Sequence, residues 1–212
     1  MTTQTIKVGI CGLGTVGQGV IALLSEGGDV LSNRVGGTIE LVHVATRTPK
    51  PEVDTLGARD SRDVFDVARD PNVDVLIELI GGTTVAKELV VEALKQGKHV
   101  VTANKALLAD HGDELFALAE SKGVALRFDA AVAGGIPVIE AVKTSLAGNH
   151  VSSVAGIING TGNFILTEMA AKGREFSDVL AEAQALGYAE ADPAFDIDGT
   201  DAAQKLVLLA SL

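Results

Sequence analysis

Short aliphatic runs recur along the chain, separated by longer stretches in which apolar residues return every third or fourth position. The runs at 6–11, 39–45, 73–80, 99–102 and 124–128 read as buried strands, and the stretches at 63–69, 83–96 and 113–122 as helices with one apolar face. Between them, 27–37 reads as a loop with a short helical turn, and 49–60 as a polar, turn-rich connection. Strands alternating with helices at this spacing predict an α/β fold, a doubly wound parallel sheet with right-handed crossovers. That sheet should account for residues 1–129.

From 130 the rhythm changes. A small-residue loop at 130–137 ends on Pro137, which suits the first turn of a helix running to Leu146. A strand at 151–158, helices at 164–171 and 177–186, an acidic loop at 187–199 and a final helical pattern at 200–212 follow. Residues 130–212 are therefore expected to form a second, α+β domain.

Composition narrows the partners. Apolar residues make up 47% but aromatic ones only 3%, with no Trp, so the core must be built from Val, Leu, Ile and Ala. A net charge of −11 argues against nucleic acid or an anionic membrane, both of which call for a basic face. Cys11 is the single cysteine and should be a buried structural thiol, consistent with a reducing cytoplasm. The first residues lack a basic segment and a long apolar run, and no stretch reaches the ~18 apolar residues of a membrane span.

The chemistry begins where the first strand meets Gly12-Leu13-Gly14-Thr15-Val16-Gly17, with Val20, Ile21, Leu23 and Leu24 behind it. A strand, a glycine turn and a helix in that order make a dinucleotide cradle. The turn needs Gly12, the pyrophosphate needs to approach the backbone at Gly14, and the helix packs on the strand at Gly17. At the end of the second strand the chain reads Ala45-Thr46-Arg47-Thr48, with no carboxylate to take a ribose 2′-hydroxyl. A hydroxyl and a guanidinium suit a 2′-phosphate, so Thr46 and Arg47 favour NADP over NAD. Further on, Lys105 follows a strand end, where open parallel sheets place their ligand crevice. Asp201 and Lys205 share a helix face, and Glu190, Asp192, Asp196 and Asp198 crowd the preceding loop. Taken singly, these are also the features of a solvated surface, where an ion pair contributes only ~0.3–0.5 kcal/mol.

Taken together, they resemble the homoserine dehydrogenase family. The matching stretches are Gly9 to Gly17, Thr102-Ala103-Asn104-Lys105, Ala131 to Pro137, Asn159-Gly160-Thr161-Gly162-Asn163, Leu186 to Pro193 and Asp198 to Leu206. The resemblance implies interconversion of L-homoserine and L-aspartate 4-semialdehyde, in the branch of the aspartate pathway that leads to threonine, methionine and isoleucine. It gives Lys205 the proton transfer at the substrate oxygen, Lys105 a place beside substrate and cofactor, and Asp201 a supporting role. Glu190 would hold the substrate ammonium, with Tyr188, Gly187 and Asp196 around it. Asp129, Val132, Gly134 and Ile136 match a sodium site built from backbone carbonyls, which suit a hard cation. A homodimer is implied as well. Family members continue beyond the lysine helix, and many add a regulatory ACT domain, so the second domain here is expected to be partial. Two other readings remain: a semialdehyde dehydrogenase forming an acyl-enzyme, which would need a reactive Cys11, and a nucleotide-sensing module needing neither lysine.

Overall fold

A computed structural model of the protein describes residues 4–212. The chain divides into two compact units, the first ending at Ala131 and the second running Val132–Leu212.

The first unit is a six-stranded, wholly parallel sheet covered by helices. Its strands are β1 (Gln4–Cys11), β2 (Gly37–Ala45), β3 (Arg59–Ser61), β4 (Val75–Glu78), β5 (His99–Thr102) and β6 (Leu126–Arg127). They lie in the order β3-β2-β1-β4-β5-β6. The chain winds outward from β1 to β3, then returns to lay β4 against the other side of β1, so the order reverses between β1 and β4. Doubly wound sheets bind their ligands outside the carboxyl ends of the strands at that point. Val8, Ile10, Leu13, Ile21, Leu41 and Val44 form an aliphatic core there, as the scarcity of aromatics requires.

Around the sheet run α1 (Thr15–Glu26), α2 (Gly28–Val35), α3 (Val64–Arg69), α4 (Thr84–Lys95) and α5 (Lys105–Lys122). Three elements differ from the sequence reading. The 27–37 loop contains α2, a full helix with no buried residue that closes on Gly36 in the left-handed conformation (φ 67°). The turn-rich 49–60 connection runs into β3, a three-residue strand at the sheet edge. And α5 begins at Lys105 instead of Asp113, because the Asn104 side chain accepts the Leu107 N–H and caps it.

In the second unit, α6 (Val138–Glu140) continues into a π-helical turn over Ala141–Ser145. Then come α7 (Gly160–Lys172), α8 (Phe176–Ala185), α9 (Ala194–Ile197) and α10 (Thr200–Ala210). The expected strand at 151–158 does not form. A strand needs a partner for its backbone groups, and among the described residues none pairs with it. Val151, Val154 and Ile157 are exposed along an irregular segment. Among the described residues no helix is long and apolar enough to cross a membrane.

Candidate active site

At the carboxyl end of β1 the chain turns sharply. Gly12 has φ 105°, and a Cβ there would lie 2.5 Å from the Leu79 carbonyl oxygen, so only glycine fits. A Cβ on Gly17 would fall 2.0 Å from the Gly12 carbonyl, which is the close helix-to-strand approach expected of that position. Gly14, by contrast, faces open space and is the N-cap of α1, where no side chain occupies the cap. The first-turn amides and the positive end of a twelve-residue helix thus open onto an unobstructed surface. This cradle fits a pyrophosphate.

The residues that follow β2 are those expected to meet the adenosine ribose. Thr46 is hydrogen-bonded back to the edge strand through its N–H, which donates to the Ser61 carbonyl at 3.2 Å. Arg47 is exposed just beyond it. A second cation, Arg62, reaches the same place: its guanidinium donates to the Thr46 carbonyl at 3.2 Å and to both oxygens of Asp60. Arg62 escaped the sequence reading because β3, which aims it, is too short to show a period.

Cys11 occupies the last rung of β1 and is fully buried, with its Sγ 3.7 Å from the Val64 carbonyl. Burial, and then the Glu78 and Asp63 charges, push its thiol far above the ordinary range. It is a structural thiol, as expected, and cannot serve as the nucleophile of an acyl-enzyme mechanism.

The second unit gathers a polar network in an open cavity of about 640 Å³, with Asn159, Thr161, Tyr188, Asp196, Asp201 and Lys205 in its lining. Lys205 sits one turn beyond Asp201 on α10 and donates to its Oδ2 at 2.6 Å and to the Ile158 carbonyl at 2.8 Å. Asp201 is buried and accepts from the Asn159 amide as well, at 2.9 Å. The other amide hydrogen of Asn159 goes to Asp196 at 2.8 Å, while its Oδ1 caps α7 through Gly162 N. The Thr161 hydroxyl is shared between Asp196 (2.9 Å) and the Tyr188 carbonyl (2.7 Å). Phe164 stacks edge-on against Tyr188, with ring centroids 5.1 Å apart. Two of the three ammonium hydrogens of Lys205 are thereby fixed, leaving the third for a ligand in the cavity.

Among the predicted substrate residues, Asp196 and Tyr188 join Asp201 and Lys205 here. Glu190 and Gly187 do not line the cavity; Glu190 is exposed, and its backbone carbonyl accepts from the Gln184 amide at 3.1 Å. Asn159 and Thr161 were visible only as parts of a glycine-rich stretch, without a role. Lys105 opens α5 in the first unit. Asp129 lies in a 3-10 turn, and Val132, Gly134 and Ile136 follow in the next segment, where the Ile136 carbonyl already accepts from Val138 N at 2.8 Å. Among the described residues no group of His, Cys, Asp and Glu side chains could hold a metal, which leaves backbone carbonyls as the only ligands of the sodium expectation.

The geometry agrees with comparisons to known proteins. Residues 12–129 match the family model described as the NAD binding domain of homoserine dehydrogenase, and residues 137–212 match the model described as homoserine dehydrogenase. The chain is 59% identical over 209 residues to a homoserine dehydrogenase of Pseudomonas aeruginosa, covering 99% of this chain and 48% of that protein. A crystal structure of a homoserine dehydrogenase from Thiobacillus denitrificans superposes with a TM-score of 0.93 at 50% identity, over 99% of this chain and 49% of the other. A hyperthermophilic archaeal homoserine dehydrogenase in complex with NADPH superposes with a TM-score of 0.83 at 26% identity, over 97% and 69% of the two chains. The chain spans about half the length of the curated relatives it matches.

Proposed function

The chain belongs to the homoserine dehydrogenase family, and we propose that it carries the cofactor and substrate sites for interconverting L-homoserine and L-aspartate 4-semialdehyde. The observation that carries this reading is the Lys205–Asp201–Asn159–Asp196 network in the second unit's cavity. A nicotinamide cofactor, when bound, supplies or takes up the hydride. Reduction of an aldehyde leaves negative charge on its oxygen, and that charge must be met by a proton. Lys205 has a donor to give and is oriented by a buried anion, so it protonates the oxygen in one direction and accepts its proton in the other. Asp201 holds the ammonium in place. Asp196 and the exposed Glu190 are the anions available to the substrate ammonium, and Lys105 is the cation that follows the carboxyl end of β5.

NADP is the favoured cofactor, with Arg47 as its 2′-phosphate partner and Thr46 beside it. The absent carboxylate after β2 supports this, and Arg62, paired with Asp60, lies against the same strand end. A sodium ion on the carbonyls of Val132, Gly134 and Ile136, beside Asp129, belongs to the same reading, as do a cytoplasmic location and a homodimer. A steady-state assay of NADPH oxidation with L-aspartate 4-semialdehyde, on the full-length protein, tests the whole. Turnover that depends on both compounds is expected. Saturable NADPH binding without any turnover would leave a nucleotide-binding protein and refute the enzyme.

A further inference from the structure

Glu78 is the last residue of β4, fully buried, and none of the roles above uses it. Register places it between Cys11 of β1 and Thr102 of β5, on the final rung of the sheet at the switch point. A buried carboxylate is costly unless donors surround it, and here they do. Its Oε1 accepts the Ile80 N–H at 2.9 Å and the Gly81 N–H at 3.2 Å. Its Oε2 accepts the Thr102 hydroxyl at 2.5 Å.

These three bonds tie together two loops. Ile80 and Gly81 belong to the loop leaving β4, which continues through Gly81 and Gly82, both at φ 70°. Thr102 ends β5, and its Oγ1 accepts the Asn104 N–H at 3.0 Å. Asn104 then donates to the Gly82 carbonyl at 2.7 Å and caps the helix that begins with Lys105. The circuit Glu78–Thr102–Asn104–Gly82 therefore closes on itself. The same loop is anchored to the glycine turn, because Leu79 N donates to the Cys11 carbonyl at 2.8 Å and the Leu79 carbonyl covers Gly12.

In this architecture the adenosine ribose lies toward β2 and the pyrophosphate at the glycine turn. The remaining half of a dinucleotide must then extend over the ends of β4 and β5. We propose that Glu78 is a positioning residue for the nicotinamide half of the cofactor, holding the β4 and β5 loops and the Lys105 helix start in one arrangement. This rests on the nucleotide-binding reading given above. Thr102 carries the charge's hold across to the second loop and acts with Glu78 as a unit.

The test is binding, measured on the full-length protein by titrating two probes. NADPH spans the whole site, whereas 2′,5′-ADP presents the adenosine and its phosphates alone. Glu78→Gln turns one acceptor into a donor facing Thr102, and Thr102→Val removes the hydroxyl. Each should weaken NADPH about tenfold and leave 2′,5′-ADP within about twofold. Because the two residues act as a unit, the double variant should weaken NADPH no more than the worse single one. Amide hydrogen exchange in the unliganded variants should speed up over 79–83. Equal weakening of both probes would make Glu78 a general support of the fold, and unchanged NADPH binding would remove the role altogether. Should Glu78→Gln fold poorly, Thr102→Val carries the same two-probe comparison without altering the buried charge. A wild-type protein that binds neither probe would instead overturn the nucleotide reading itself.

Discussion

Lys205 and Asp201 show how little of a residue's role lies in its identity. An aspartate and a lysine four apart on a helix form a commonplace surface pair, but here the aspartate is buried and shared with Asn159. Removing the charge of such a group leaves the lysine without its orienting anion, so Asp201→Asn should lower turnover while NADPH affinity stays within about threefold, or ~0.65 kcal/mol. Lys205→Met should go further and remove most turnover, because general acid–base groups contribute roughly 10²–10⁴-fold. Wild-type rates in Lys205→Met would discard the proposed proton transfer. The substrate ammonium gives a sharper comparison. Glu190→Gln and Asp196→Asn each delete one anion while keeping shape, and whichever raises the KM for homoserine with the smaller change in kcat marks the ammonium's partner. Asp196 lines the cavity and Glu190 does not, although the family resemblance favoured Glu190. Side-chain direction in an irregular loop has no period from which to read it. On the cofactor side, Arg47→Ala should cost NADP about 1.5–3 kcal/mol, as for a charge-assisted hydrogen bond, and NAD much less.

Elements were legible where their causes are local. The β1–turn–α1 unit was plain because an aliphatic run, three spaced glycines and an amphipathic stretch each act within a few residues. The start of α5 was equally local, since Asn104 is an N-cap residue by type, but its signal lay outside the apolar period. The edge strand β3 and the failed strand at 151–158 are decided by neighbours instead: one exists because β2 lies beside it, the other lacks a partner. Connections between elements were also hidden. His43 of β2 is fully buried, with its Nδ1 2.8 Å from Asp70 Oδ2 and its Nε2 3.2 Å from Ser61 Oγ, and it links β2, β3 and the end of α3. Burial pushes the Asp70 carboxyl up, but the Asn72 N–H, His43 and the Asn72 amide outweigh it and hold it below the usual carboxylate value. A carboxyl depressed in the folded state stabilises fully above its unfolded pKa of ~3.9 and loses that contribution as pH falls through the folded value. Asp70→Asn should therefore destabilise the first unit at neutral pH by about 1–3 kcal/mol and flatten the acid limb of its stability profile. Urea titrations between pH 2 and 7 would show this; an unaltered acid limb would mean that other carboxylates set it.

At the scale of the molecule, the two units are unequally built. The first carries the larger aliphatic core, with residues such as Ile10, Leu76, Leu89, Val100, Leu107 and Leu115 fully buried. The second has a small cluster of Ile165, Val179, Ala183 and Ala189, with Phe164, Met169 and Leu180 packed partly against it. Its exposed Ile157, Leu166 and Leu186 contribute little to that core. Since burial of apolar surface stabilises by roughly 25 cal/mol per Å², the second unit should unfold first. The sequence supplies its own probe. Within these 212 residues Tyr188 is the single tyrosine and there is no tryptophan, so in a protein of this span tyrosine fluorescence reports the second unit alone, whereas sheet content by far-ultraviolet circular dichroism reports the first. The tyrosine transition should come at the lower temperature. NADP at a hundred times its dissociation constant should add about 2.7 kcal/mol to whichever folded unit binds it, raising the sheet transition and leaving the tyrosine transition in place. Coincident transitions that NADP shifts together would show that the two units unfold as one body, and would refute the ranking drawn from their cores.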